Sequence, residues 1–176
     1  MILAGGRATR LGGVAKHELV VDGETIFARQ TRLLAPRVAE ILVAAPRDIA
    51  GHRTVRDAVE GAGPLAGIAA GLAAARTPWL LVLAGDMPYL DEPLIDALLA
   101  TDDALDAIGV RARGLPEPLL CTLHARVGAV VNRRLAARAF KASGLFTDEN
   151  LRVRWVDAPD AHVLHNINTP DDLRES

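Results

Sequence analysis

The sequence predicts an α/β protein, a single-domain, Rossmann-like, doubly wound and mostly parallel sheet with helices on both faces. Three observations lead there. Short apolar runs alternate along the chain with longer segments of helical period. The run Trp79 to Gly85, "WLLVLAG", is apolar at nearly every position, the pattern of a strand buried on both sides. Half of the 176 residues are hydrophobic, enough for one sizeable core, and no repeat, low-complexity segment or linker divides the chain. One domain over residues 1–176 is therefore expected.

Strands are expected at Ile2–Ala4, Glu40–Ala44, Trp79–Ala84, Ala107–Val110, Pro118–Leu123 and Val153–Val156, where β-branched and aliphatic residues cluster between turn-forming ones. Helices are expected at Ile26–Leu34, Pro64–Ala75, Glu92–Ala100, Arg126–Ala142 and from Pro170 to the C-terminus. Their starts carry signals: Thr25 and Asp91 are cap residues, Pro64 sits where a helix needs no N–H, and Thr169 with Pro170 and Asp172 resembles a capping box. Met1 leaves little chain ahead of Gly5, so the first strand is short; a natural start upstream, or a trimmed strand, is expected.

Charge excludes several function classes. Twenty Lys and Arg against 22 Asp and Glu give a formal net charge of -2, so no bulk positive field recruits nucleic acid or an anionic membrane surface. No charged start leads into an apolar stretch long enough for a signal peptide or a membrane span, and a cytoplasmic location is expected. The single cysteine, Cys121, lies in an apolar run and reads as a small buried hydrophobe. His162 and His165, in a segment that reads as extended, would face opposite ways and make a poor metal pair, and neither they nor His17 is assigned a role.

In an open parallel sheet, ligands bind at the carboxyl ends of the strands. Three stretches fall at such places, and a fourth stands near the C-terminal end of the sequence. The first is "LAGGRATRLGGVAK", Leu3 to Lys16, where Gly5 and Gly6 let backbone N–H groups converge as in a phosphate cradle and Arg10 and Lys16 add full positive charge. Its spacing fits neither the P-loop nor the dinucleotide fingerprint, and a mobile basic surface loop would read the same way. The second is "LVLAGDMPYL", in which Asp86 follows a buried strand and could either hold Mg²⁺ or simply turn the chain. The third, "GPLAGIAAGL", opens a helix of small residues suited to close packing or close ligand approach. The fourth, "NINTPDDL", places Asn166 and Asn168 on one face if extended, and is otherwise ordinary turn chemistry.

Taken in order, Leu3-Ala-Gly-Gly with Arg10 and Lys16, Gly63-Pro-Leu-Ala-Gly, Gly85-Asp-Met-Pro and Asn166-Ile-Asn-Thr-Pro-Asp-Asp-Leu resemble the molybdenum cofactor guanylyltransferases, the MobA family, over essentially the whole chain. The resemblance implies a nucleotide-diphospho-sugar-transferase-like fold. It also implies transfer of GMP from GTP to molybdopterin with Mg²⁺, giving molybdopterin guanine dinucleotide and pyrophosphate. Carried onto matching positions, Leu3, Ala4, Gly5 and Gly6 contact the nucleotide through their backbone, Arg10 and Lys16 bind its phosphates, and Asp57 also contacts the nucleotide. Asp86 is the magnesium ligand, which makes Arg10, Lys16 and Asp86 the catalytic set; Asn166 and Asn168 lie on the side where the molybdopterin phosphate enters. GTP or CTP and molybdopterin are the implied small-molecule partners, with transient contacts to other molybdenum-cofactor proteins and none to nucleic acid or membrane.

One departure bears on the base. Where the family often carries a base-reading asparagine, this chain has Ala44, whose methyl cannot hydrogen-bond a base edge. That favours the nearest rival, a molybdopterin cytidylyltransferase; a sugar-phosphate or phospholactate nucleotidyltransferase and a nucleotide-binding regulatory protein without turnover also stay open.

Overall fold

The computed structural model describes residues 1–5, 7–8, 14–57, 59, 61–147, 149–158, 160 and 162–167. Among them the chain forms strands β1 (Ile2–Leu3), β2 (Arg7–Ala8), β3 (Val14–Ala15), β4 (Val20–Val21) and β5 (Glu24–Thr25), then helix α1 (Ile26–Leu34). There follow β6 (Leu42–Ala44), β7 (Arg53–Val55), α2 (Pro64–Ala74), β8 (Trp79–Ala84) and α3 (Glu92–Leu99). The chain then runs through β9 (Ala107–Ala112), β10 (Leu115–His124), α4 (Gly128–Ala136), the short α5 (Gly144–Thr147) and β11 (Val153–Asp157).

Seven strands make one sheet in the order β11-β9-β10-β8-β1-β6-β7. Pairings are parallel except along β10, which runs antiparallel to both of its neighbours. Along β8, side chains alternate between two cores. Leu81 and Leu83 pack with Leu34 of α1 and Leu94, Ile95 and Leu98 of α3. Leu80 and Val82 pack on the other face with Leu65 and Ile68 of α2 and Val131 of α4. Burial on both faces is why "WLLVLAG" carries no polar alternation. Cys121 is fully buried in the second core, and burial pushes its thiol up to about 12, as expected of an inert packing residue.

The expected helix starts hold where side-chain chemistry decides them: Thr25 Oγ1 accepts from the Ala28 N–H at 3.1 Å, and Asp91 Oδ1 accepts from the Leu94 N–H at 3.0 Å. The expected helix Arg126–Ala142 does not run through. After a 3₁₀ turn at Ala125–Val127, α4 ends at Ala136, and Arg138 takes a left-handed φ of 57°. The buried Arg134 reaches across this break to the Lys141 carbonyl and to Glu149, contacts that tie the following loop back onto α4. The expected helix from Pro170 and its Thr169 cap lie outside the described residues.

Two hairpins and the edge strand β7 were not expected. Asp22-Gly23 and Arg113-Gly114 each take two successive positive φ values, the type I′ turn that joins β4 to β5 and β9 to β10. Asp-Gly was a legible signal for the first; an Arg in the first turn position is not one for the second. Between Glu117 and Cys121 the β9–β10 register shifts, a bulge that accommodates Pro118 inside a strand. His162–Leu164 is a 3₁₀ turn instead of an extended segment, so residues three apart eclipse, and both His162 and His165 approach Tyr89, at ring distances of 4.2 and 6.2 Å.

Asp106 anchors the far edge of the sheet. Its carboxylate accepts from the Arg152 backbone N–H at 3.0 Å and from two guanidinium nitrogens of Arg152 at 3.1 and 3.0 Å, which holds the carboxyl down at about 2. Because the folded value lies below the ordinary 3.8, the stability this group contributes is complete above that pH and is lost as pH falls through about 2. Asp106→Asn is expected to cost roughly 1–2 kcal/mol near neutrality, with the difference from the parent shrinking towards pH 2. Urea unfolding of both proteins across that range measures it.

Candidate active site

The sheet order places β1 between β6 and β8, and the chain leaves β1 towards β6 but returns to its other side at β8. That change of direction opens a crevice at the carboxyl ends of β1 and β8. Their register sets Leu3 beside Ala84, and the Gly85 N–H then donates to the Leu3 carbonyl at 3.1 Å. The two chemistry-bearing stretches that lie far apart in sequence thus leave the sheet side by side.

A cleft of about 360 Å³ occupies this crevice. Leu3, Ala4, Gly5, Lys16, Asp57 and Asp86 all line it, so the structure brings together six of the expected site residues. Gly6, Arg10 and Asn168 lie outside the described residues. Asn166 is not in the cleft wall. Its neighbour Ile167 donates its N–H to the Asp86 carbonyl at 3.0 Å, which hangs the segment carrying Asn166 on the Asp86 turn.

The Lys16 ammonium meets the Asp86 carboxylate at 2.7 Å, with only 22% and 17% of the two side chains exposed. A 3₁₀ turn at Lys16–Glu18 presents the lysine, and the end of β8 presents the aspartate. A three-quarters-buried pair at the mouth of a cleft puts full charge of both signs where little water screens it.

The opposite wall comes from α2. Pro64 is its first residue, and Gly67 faces the cleft so closely that a Cβ there would lie 3.0 Å from Leu3 Cδ2 and 3.3 Å from both Ala44 Cβ and Asp57 Oδ1. The small residues of "GPLAGIAAGL" thus serve packing and the cleft at once. Asp57 is open to solvent on its outer side, and desolvation of the rest holds its carboxyl above the ordinary carboxylate range. Ala44 is buried in this wall.

Three residues of this region carry no role in the sequence reading. His17 lines the cleft while buried, its ring edge-on to Phe27 at 5.8 Å, and burial holds it below the usual imidazole range. Leu119 enters the wall from the bulged part of β10. Glu117, two residues before it, is half-buried; desolvation raises its carboxyl, and the negative charge of Asp86 adds to the shift. None had a local signal, because a crossing from the antiparallel strand brings Leu119 and Glu117 here and "EPLL" reads as ordinary strand.

Among the described residues no group of three or more His, Cys, Asp and Glu is placed to hold a metal ion. Asp86 alone fits a hard cation that keeps waters and shares itself with substrate phosphates, such as Mg²⁺, and does not fit a cation caged wholly by protein.

The close approach of β8 to the first loop is itself testable. A Cβ on Gly85 would stand 2.7 Å from the Leu3 carbonyl oxygen, a backbone atom that cannot swing away. Gly85→Ala is expected to cost on the order of 1–3 kcal/mol and to widen the cleft, measured as a fall in melting temperature and loss of ligand protection against unfolding.

The model of the MobA-like NTP transferase domain matches residues 1–152. A protein of Pseudomonas putida named molybdenum cofactor guanylyltransferase is 33% identical over 182 residues, covering 99% of this chain and 95% of that one. A protein of the same name from Ralstonia nicotianae is 33% identical over 192 residues, with 99% and 93% covered. Among solved structures, molybdopterin-guanine dinucleotide biosynthesis protein A of Archaeoglobus fulgidus superposes with a TM-score of 0.80 at 23% identity, covering 99% of this chain and 94% of that one. The 2-C-methyl-D-erythritol 4-phosphate cytidylyltransferase of Thermus thermophilus gives 0.72 at 22%, with 99% and 95% covered. At such identities the two structures speak to the fold, which they share. The fold, the matched domain and the near full-length relatives agree, and the chain belongs to the MobA-like NTP transferase family.

Proposed function

We propose that this nucleotidyltransferase transfers GMP from GTP to molybdopterin, forming molybdopterin guanine dinucleotide and pyrophosphate. The observation that carries the reading is the pairing of Lys16 with Asp86 at 2.7 Å, in the same cleft as the Leu3–Gly5 backbone. The names of the relatives support the guanylyl donor and the molybdopterin acceptor.

In this reading the backbone of Leu3, Ala4 and Gly5 lies along the nucleotide, and Lys16 neutralises its phosphates as a compact point charge. Asp57 faces the base from the α2 wall, where an ionised carboxylate accepts the paired N–H donors of guanine. An oxygen of the acceptor phosphate bonds to the α-phosphorus while the bond from that phosphorus to the bridging oxygen breaks and pyrophosphate departs with the electron pair. The attacking oxygen is already ionised, so no protein group has to remove a proton; the protein supplies alignment and charge. Asp86 would hold Mg²⁺, and the bound ion supplies charge neutralisation at the phosphates. Arg10 is proposed to act on the phosphates with Lys16, and Asn166 and Asn168 to meet the acceptor.

Ala44 favours a second reading for the base. With a methyl at that point of the wall, discrimination rests on Asp57 and the backbone, and CTP becomes the rival donor.

Incubating the purified protein with Mg²⁺, molybdopterin and either triphosphate tests both readings by pyrophosphate release and product mass. Turnover with GTP alone is expected; turnover with CTP alone would transfer the assignment to the cytidylyl reading, and neither would overturn both. Asp86→Ala is expected to reduce kcat by about 100-fold or more with the circular dichroism spectrum unchanged. Lys16→Ala should weaken triphosphate binding by about tenfold or more, read by calorimetry.

A further inference from the structure

Gln30 lies in the middle of α1, on the face packed against the sheet, and is 1% exposed. Its Nε2 donates to two carbonyls, that of Ala84 at 2.8 Å and that of Met87 at 3.1 Å. These two carbonyls bracket Gly85 and Asp86. The amide orientation is fixed by chemistry, because two carbonyl oxygens accept only from the NH₂ end. Both Nε2 hydrogens are thereby used, and Oε1 stays buried with no hydrogen-bond partner among the described residues. The orphaned buried oxygen is the cost of presenting both Nε2 hydrogens to the turn; an aliphatic side chain at this face, otherwise built from Ile26 and Leu34, would avoid it only by taking this donor from the Ala84 and Met87 carbonyls.

The rest of the turn is held as firmly. The Gly85 N–H donates to the Leu3 carbonyl, and the Asp86 carbonyl accepts from the Ile167 N–H. Each of the four residues from Ala84 to Met87 therefore has a backbone group tied to another part of the molecule, and Gln30 ties two of them. At Asp86 a small rotation of the turn would displace the carboxylate from Lys16 and from any ion it holds.

We infer that Gln30 is a positioning residue for the Asp86 carboxylate: its buried amide clamps the turn from the core side, so that the carboxylate is presented to Lys16 and to a phosphate-bound divalent cation in one orientation. The inference rests on the role proposed above for Asp86. A purely structural Gln30 would satisfy two carbonyls and affect stability alone. A positioning Gln30 also sets how tightly the cation is held.

The test is Gln30→Leu, with Gln30→Met as a second variant that keeps an unbranched side chain should the first fail to fold. Mn²⁺ binding to the enzyme with a non-hydrolysable GTP analogue is followed by electron paramagnetic resonance, beside kcat and the KM for GTP. The expected result is Mn²⁺ affinity weakened at least fivefold and kcat lowered at least tenfold, with the KM for GTP within threefold of the parent. A folded variant that loses melting temperature but keeps parental Mn²⁺ affinity and kcat would overturn the inference. Asp86→Ala in the same titration separates the two levels. If it too binds Mn²⁺ like the parent, the metal role of Asp86 fails; if it loses the ion while the Gln30 variants keep it, only the clamp fails.

Discussion

The parallel pairing of β1 with β8 is the constraint on which the site depends. It is only two residues long, Ile2 with Leu83 and Leu3 with Ala84, yet it decides which loops become neighbours. Extended by the Gly85 N–H bond to the Leu3 carbonyl, it delivers the first loop and the Asp86 turn to one crevice. So short a ladder is held by what surrounds it: Ile2 and Leu83 are wholly buried, and β6 pairs along the other edge of β1. Hydrophobic burial on both faces of the sheet thus fixes the geometry of charges that could not fix it themselves.

Around that crevice the polar groups follow a division of labour. Lys16 and Asp86 carry full charge at the cleft mouth, the α2 wall supplies close backbone approach and the Asp57 carboxylate, and the groups behind them hold position. Gln30 belongs to the last class, as does the Ile167 N–H that hangs the Asn166 segment on the Asp86 carbonyl. The cleft and the segment carrying Asn166 therefore meet at one turn, and Tyr89, stacked on His162 at 4.2 Å, packs that segment against the body of the protein. Chemistry that needs alignment more than proton transfer suits such a frame.

Several features were legible because their causes are local. Thr25 and Asp91 cap helices through bonds made within three residues, Pro64 begins α2 where its missing N–H costs nothing, and the short all-apolar run Trp79–Ala84, ended by a glycine, is a strand buried on both faces. Others were hidden because their causes are distant. The end of α4 at Ala136 involves Arg134 reaching to Lys141 and Glu149, and Arg138 in a left-handed conformation carries no glycine to announce it. The reversal of β10 follows from a two-residue turn whose first member is an arginine, and that reversal is what carries Leu119 to the cleft and Glu117 within reach of the Asp86 charge.

By itself the sequence determined the fold class, the caps at Thr25 and Asp91, the inert burial of Cys121 and the placing of Lys16 and Asp86 at strand ends, since these follow from side-chain chemistry and spacing read along the chain. The family resemblance in its motifs extended that to the expected nucleotidyl transfer. Only the tertiary structure decided that Lys16 and Asp86 pair at 2.7 Å, that Asp57 and Ala44 share a wall with Gly67, and that Gln30 spends its amide on the Asp86 turn. Lys16 and Asp86 are seventy residues apart, and Gln30 sits in an amphipathic helix where a glutamine looks like any other polar residue. What joins them is strand order, which is set by the packing of both cores at once and is written in no single stretch of the chain.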